Sequence, residues 1–202
     1  MKFQLSAVSL LPLLAAAAPT NSTLAARQDK TPFTLSADRQ GNAIHGLDIN
    51  ASGFGFWVGG SPATFCPPDK KCPEGKQTVF APSGNALDVL VDRGQNIYID
   101  QNGALRYTQA GQPDLPKDVM GGPFIYAPGS PSGHFGFTGS GATGWMACPL
   151  AKQVNGQNVY QVFVNMPSAK PPTGNHADCI PFDGKATEWK GKDGEKGAYQ
   201  YI

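Results

Sequence analysis

Asn96-Ile97-Tyr98-Ile99-Asp100-Gln101-Asn102-Gly103-Ala104-Leu105-Arg106-Tyr107-Thr108 reads as two short alternating runs on either side of an Asn-Gly pair. Apolar and polar residues alternate with period two, the period at which strand side chains return to one face. Asn102-Gly103 tolerates the positive φ angles of a tight turn, so the stretch predicts a β-hairpin. Outward from it the same alternation recurs in Phe33-Thr34-Leu35-Ser36-Ala37, Phe54-Gly55-Phe56-Trp57-Val58, Leu87-Asp88-Val89-Leu90-Val91 and Val159-Tyr160-Gln161-Val162-Phe163-Val164. Further strands are predicted at 124–126, 134–138, 144–148 and 198–202.

Past residue 18 no window sustains the i, i+3, i+4, i+7 spacing of a helix, and Gly or Pro interrupts nearly every attempt. Glycine and proline make up 43 of 202 residues, below the share that marks a low-complexity chain. The predicted fold is therefore all-β and compact: a single-domain β-sandwich or closed β-barrel over residues 32–202, with a trefoil-like barrel as the alternative. Residues 110–123 and 166–181 read as surface excursions.

The first residues carry one lysine, an apolar run through Leu10-Leu11-Pro12-Leu13-Leu14, and Ala15 to Ala18, the pattern of a signal peptide covering 1–17 with cleavage after Ala17. The apolar run is too short to span a bilayer. Residues 18–31 are a pro-segment or a flexible N-terminus, because Arg27 offers a basic cleavage point that would leave Gln28 first. A secreted chain enters an oxidising compartment, so Cys66, Cys72, Cys148 and Cys179 are expected to form two disulfides. Of three connectivities, Cys66–Cys72 with Cys148–Cys179 is favoured. Lacking paired C-x-x-C motifs, with only His45, His134 and His176 besides, the chain offers little to a zinc ion, and neither metal nor cofactor is expected.

Loss of residues 1–17 leaves 15 basic and 15 acidic residues. Lysines are interleaved with acids, so neither nucleic acid nor a membrane is an expected partner, and a monomer is anticipated. The ending Gly197-Ala198-Tyr199-Gln200-Tyr201-Ile202 has no apolar tail for a lipid anchor.

Two acceptor triplets for N-glycosylation stand at Asn50-Ala51-Ser52 and Asn21-Ser22-Thr23, Asn50 being the better. No Gly-x-Ser-x-Gly elbow and no His-Glu-x-x-His run occurs. An N-terminal histidine, which a polysaccharide-oxidising copper site requires, would come from neither Ala18 nor Gln28. Acid pairs for glycoside hydrolysis could be drawn from Asp88, Asp92, Asp100, Asp114, Asp118, Asp178, Asp183 and Glu188, most of which read as turn residues. The expectation is a protein that is not an enzyme. Aromatic residues are plentiful, and Trp57, Trp145 and Tyr107 are the candidates for stacking on sugar rings of wall polysaccharide such as chitin or β-glucan. Trp57 points away from Phe54 and Phe56, which makes it the more exposed of the two tryptophans.

Several segments in order carry a family resemblance: Ile44-His45-Gly46-Leu47-Asp48-Ile49-Asn50-Ala51, Phe56-Trp57-Val58-Gly59-Gly60 leading to Phe65-Cys66-Pro67, residues 88–99, Gly103-Ala104-Leu105-Arg106-Tyr107-Thr108, Gly144-Trp145-Met146-Ala147-Cys148-Pro149, and Gly174-Asn175-His176-Ala177-Asp178-Cys179. Together they resemble the small secreted fungal IgE-binding proteins, which are similar to the phialide cell-wall protein PhiA. The resemblance spans about residues 32–182, and the tail from Lys185 lies outside it. It implies a non-catalytic extracellular or cell-wall glycoprotein associated with hyphal and conidial development, allergenic in some moulds. A secreted glycan-binding or host-interacting effector is the alternative, and a small hydrolase the weaker one. The chain departs from its relatives at Asp92-Arg93-Gly94, where they carry a Gly-Gly turn.

Overall fold

A computed structural model describes residues 31–152, 158–192 and 195–202. The expected signal peptide, the pro-segment cleavage and Asn21 lie outside the described residues. Among these residues are twelve strands: β1 (Phe33–Asp38), β2 (Ile49–Ser52), β3 (Gly55–Val58), β4 (Thr64–Phe65), β5 (Ile97–Ile99), β6 (Leu105–Tyr107), β7 (Phe124–Ala127), β8 (Gly133–Phe137), β9 (Trp145–Pro149), β10 (Tyr160–Val164), β11 (Ile180–Glu188) and β12 (Gln200–Tyr201). One 3-10 turn, His176–Asp178, precedes β11.

The all-β expectation holds. A single antiparallel sheet runs β5-β6-β3-β10-β9-β11-β8-β7, with β1 added to β11 and β2 to β3, while β12 and β4 form a separate pair. This sheet curls into a half-barrel and does not close, so the closed barrel is corrected, and one continuous curled sheet stands in place of a sandwich or a trefoil. The two ends explain why. β7 is flanked by Pro123 and Pro128, whose nitrogens have no hydrogen to extend a ladder. At the other end β5 is met by isolated bridges, Ala86 to Asn96 and Ile99 to Met120, in place of another strand.

The predicted hairpin forms as β5 and β6, with Ile97 opposite Tyr107 and Ile99 opposite Leu105. Its turn differs in detail. Only Gly103 takes a positive φ, +88°, and Asp100 Oδ1 accepts from the backbone N–H groups of Asn102 and Ala104, both at 2.9 Å. The two-residue turn with both central residues left-handed lies instead between β2 and β3, at Gly53 (φ 58°) and Phe54 (φ 60°). Arg93, in the Asp92-Arg93-Gly94 turn, also adopts the left-handed conformation, at φ 62°. Leu87-Asp88-Val89-Leu90-Val91 is not a strand: it contributes bridges at Leu87 and Val89 and leaves Leu90 exposed.

β11 is the longest strand, and alternation predicts neither it nor the short strands β2 and β4. It pairs with β9 through residues 180–182, with β8 through 184–186 and with β1 through 183–188. Its inward positions are Phe182, Gly184 and Ala186. Gly184 is required by close approach, since a Cβ there would lie 2.4 Å from the Phe135 carbonyl oxygen and 3.0 Å from Trp145 Nε1.

Aromatic rings run through the core in contact. Tyr107 meets Phe56 edge-on at 5.4 Å, Phe56 stacks on Phe80, Phe80 reaches Phe33 and Phe135, and Phe135 stacks on Trp145 at 5.7 Å. Each such ring removes on the order of 150–250 Å² from water, so this chain of contacts contributes substantially to stability.

Candidate functional site

The three aromatic candidates separate. Trp145 is buried and donates from Nε1 to the Phe135 carbonyl at 2.8 Å. Tyr107 is buried as well, its hydroxyl donating to the Ile202 backbone oxygen at 3.0 Å and accepting from the Phe54 N–H at 3.2 Å. Both belong to the core and offer no platform. Only Trp57 is half-exposed, on the outer face of the sheet, with Nε1 donating to Ser52 O at 2.8 Å. The period-two reading of Trp57 against Phe56 is right, whereas Phe54 leaves the strand for the turn and its ring is exposed.

Register builds the surroundings of Trp57. β2 occupies one edge of β3, and β6 and β10 share the other: Gly55 lies opposite Arg106, and Trp57 opposite Gln161. Tyr98 lies opposite Arg106 in turn. Residues opposite one another in antiparallel strands point to the same face, so Tyr98, Arg106, Trp57 and Gln161 meet around the bare backbone of Gly55. Arg106 Nε donates to Asp100 Oδ2 at 3.1 Å, and Asp100 is itself held by the hairpin turn. Burial pushes the Tyr98 hydroxyl above its ordinary pKa, with Arg106 opposing and Asp100 adding to the shift.

Asn50 is 4% exposed. Its Nδ2 donates to the carbonyls of Gly60 at 3.0 Å and Gly59 at 3.3 Å, and Thr78 Oγ1 lies 3.5 Å from its Oδ1. The nitrogen that would carry a glycan is therefore covered by the Gly59–Gly60 turn and bonded twice, and the fold hides the better of the two acceptor sites.

Disulfides join Cys66 to Cys72 and Cys148 to Cys179. Cys148 and Cys179 are both buried, and their bond pins residues 166–179 across β9, with Met166 and Ala169 buried beneath this excursion.

The titratable residues are spread out and engaged locally. Asp88 is buried with Oδ1 2.7 Å from Lys196 Nζ, Asp92 accepts from the Arg93 N–H, and Asp178 accepts from Asn175 Nδ2. Asp114, Asp118, Asp183 and Glu188 are exposed. His176 Nε2 bonds the Ala169 carbonyl at 2.7 Å, and His45 pairs at the surface with Asp38. Among the described residues no group of three His, Cys, Asp or Glu side chains is placed to hold a metal ion, and no helix is long and apolar enough to cross a membrane.

These features define a small, disulfide-stapled all-β protein with an aromatic and polar patch on its outer face. The chain belongs to the PhiA-like secreted protein family, whose model matches residues 33–202. The match takes in β11 and β12, so the tail from Lys185 is part of the family fold. An uncharacterized secreted protein of Arthroderma benhamiae is similar along the whole of both chains, with 38% identity over 206 residues. No solved structure matches. The protein is secreted, as the first residues predict.

Proposed function

We propose that the protein is a non-catalytic constituent of the fungal wall or cell surface, held there by noncovalent contact with wall polysaccharide. The observation that carries this reading is the outer-face patch, where a half-exposed indole stands beside the guanidinium of Arg106 and the amide of Gln161. Sugar recognition uses that combination: a flat apolar face for the ring and fixed N–H groups for its oxygens. Support also comes from the acidic residues, since Asp88, Asp92, Asp100 and Asp178 are each engaged by a structural partner. Fractionation of cultures tests the proposal. The protein should be found in part on isolated walls, to be released by hot buffer or detergent. Its complete recovery in the filtrate, with none on the walls, would overturn it.

A further inference from the structure

Residues 73–77, which follow the Cys66–Cys72 bridge, face residues 189–192 and 195–197 across a cleft of about 600 Å³, a volume within the range of small-ligand pockets. Buried Val79 also lines it. Both walls are anchored to the body of the fold. The Tyr201 hydroxyl donates to Gln77 O at 2.7 Å, the Trp189 N–H to Pro32 O at 2.8 Å and the Gly197 N–H to Asp88 O at 2.9 Å. The cleft is open to solvent, since Lys76, Gln77, Lys190 and Lys192 in its lining are all exposed.

Trp189 is half-buried in its wall. A Cβ on Gly191 would lie 2.2 Å from the six-membered ring of Trp189, so the bare backbone there packs on the indole and holds it in place. Among the described residues the indole Nε1 has no hydrogen-bond partner and is free to donate.

The lining carries four lysines against Glu74 and Glu195, with the buried Asp88 behind Lys196. Lys76 pairs with Glu74 at 2.6 Å and Lys196 with Asp88 at 2.7 Å, while Glu195 Oε2 accepts from the Lys192 backbone N–H at 3.1 Å. Two cations remain: among the described residues neither the Lys190 nor the Lys192 ammonium meets a carboxylate. Lys192 also acts across the cleft. Lys76, by its hydrogen bond and its charge, holds the Glu74 carboxyl below its ordinary pKa, and the charge of Lys192 adds to that shift. The groups without partners are thus an indole with its N–H and two ammonium ions. A flat apolar face beside free positive charge suits a sugar ring that carries an anionic group. A neutral sugar would gain little from the ammonium groups, and an inorganic anion would gain nothing from the indole.

We infer that this cleft is a binding site for an acidic saccharide, its ring lying on Trp189 and its carboxylate or phosphate held by Lys190 and Lys192. The inference goes beyond the wall-binding reading above, because none of these residues lies in the patch around Trp57 and the ligand is charged where chitin and β-glucan are not.

Titration calorimetry of the secreted protein with four probes tests the site: an oligogalacturonate, a phosphorylated mannose oligomer, a neutral mannose oligomer and inorganic phosphate. At about 20 mM salt one or both acidic oligomers should bind, the better of them telling whether carboxylate or phosphate is preferred, and about 0.5 M salt should weaken that binding. Replacing two exposed lysines by residues of similar length, in the double variant Lys190→Gln with Lys192→Gln, should lower affinity about tenfold or more while the melting temperature holds. Trp189→Ala should weaken the same oligomer, and the lysine variant carries the test if Trp189→Ala folds poorly. The neutral oligomer and inorganic phosphate should bind far more weakly than the acidic oligomer. Equal binding of the neutral and acidic oligomers would overturn the site, as would phosphate binding as tightly as the saccharide. Undiminished binding by the folded lysine variant, or failure of the parent to bind either acidic oligomer, would also overturn it.

Discussion

Gln95 grips the backbone of Tyr201 from both sides: its Oε1 accepts from the Tyr201 N–H at 2.8 Å, and its Nε2 donates to the Tyr201 carbonyl at 3.0 Å. The same Nε2 donates to Thr108 O at 3.0 Å, so one buried amide joins the C-terminal strand to the end of the hairpin. Gln95→Leu would leave a buried N–H and two buried carbonyls without partners. The expected loss is about 2–4 kcal/mol in urea unfolding, and a loss within the error of measurement would contradict this role.

Two tyrosines make stability sensitive to alkali. Burial raises the Tyr107 hydroxyl from 10.0 to about 12, the Phe54 N–H opposing, and Tyr201 is raised further, chiefly by burial. Above the ordinary value the unfolded chain releases phenolic protons that the folded one retains. The stabilisation is therefore complete below 10.0 and is lost as pH rises toward and past about 12. Urea midpoints at about pH 9 and about pH 11 should differ, with less difference in Tyr107→Phe. A flat profile would show that these hydroxyls are not buried in solution.

The disulfides should contribute unequally. Cys148–Cys179 closes 31 residues and Cys66–Cys72 only 6. In the chain-entropy model these loops stabilise by about 3–4 and about 2 kcal/mol. Cys148→Ala should thus lower the thermal midpoint more than Cys72→Ala, the more so because Cys148 is buried and Cys66 exposed. Equal losses would mean that the short bridge does more than close its loop.

Asn50 should carry no glycan in the folded, secreted protein. Intact-mass measurement before and after glycosidase treatment should show no shift attributable to this residue. Asn50→Ala should cost about 1–3 kcal/mol, since two carbonyls lose their donor. A glycan found on Asn50 in folded material would require Gly59 and Gly60 to move away.

Local alternation made the sheet legible where buried positions are large: β5, β6, β3 and β10 each announce themselves through Ile, Leu, Tyr, Phe or Val. It failed at β11, where the inward positions after Phe182 are Gly184, pressed against Phe135 and Trp145, and Ala186, both too small to carry a hydrophobic signal. It failed also at Gln95, whose burial depends on Tyr201, 106 residues away in the chain. Period two placed Trp57 correctly against Phe56 and misplaced Phe54, because the reading could not see that the turn begins at Gly53. The cluster of side chains around Gly55 was out of reach. Arg106 and Gln161 meet there only through the shared edge of β3, a relation fixed by register and absent from any single segment.

Trp57 gives the most direct test of the account. Its replacement by Ala should leave secretion and folding largely intact, because the ring is half-exposed, whereas Trp145→Ala should cost about 3–5 kcal/mol by emptying the core. Retention of parent and Trp57→Ala protein on insoluble chitin and β-glucan is the measurement. The account predicts that the parent is retained and that Trp57→Ala weakens retention by the equivalent of about 1–3 kcal/mol. A folded Trp57→Ala protein retained as strongly as its parent would contradict it.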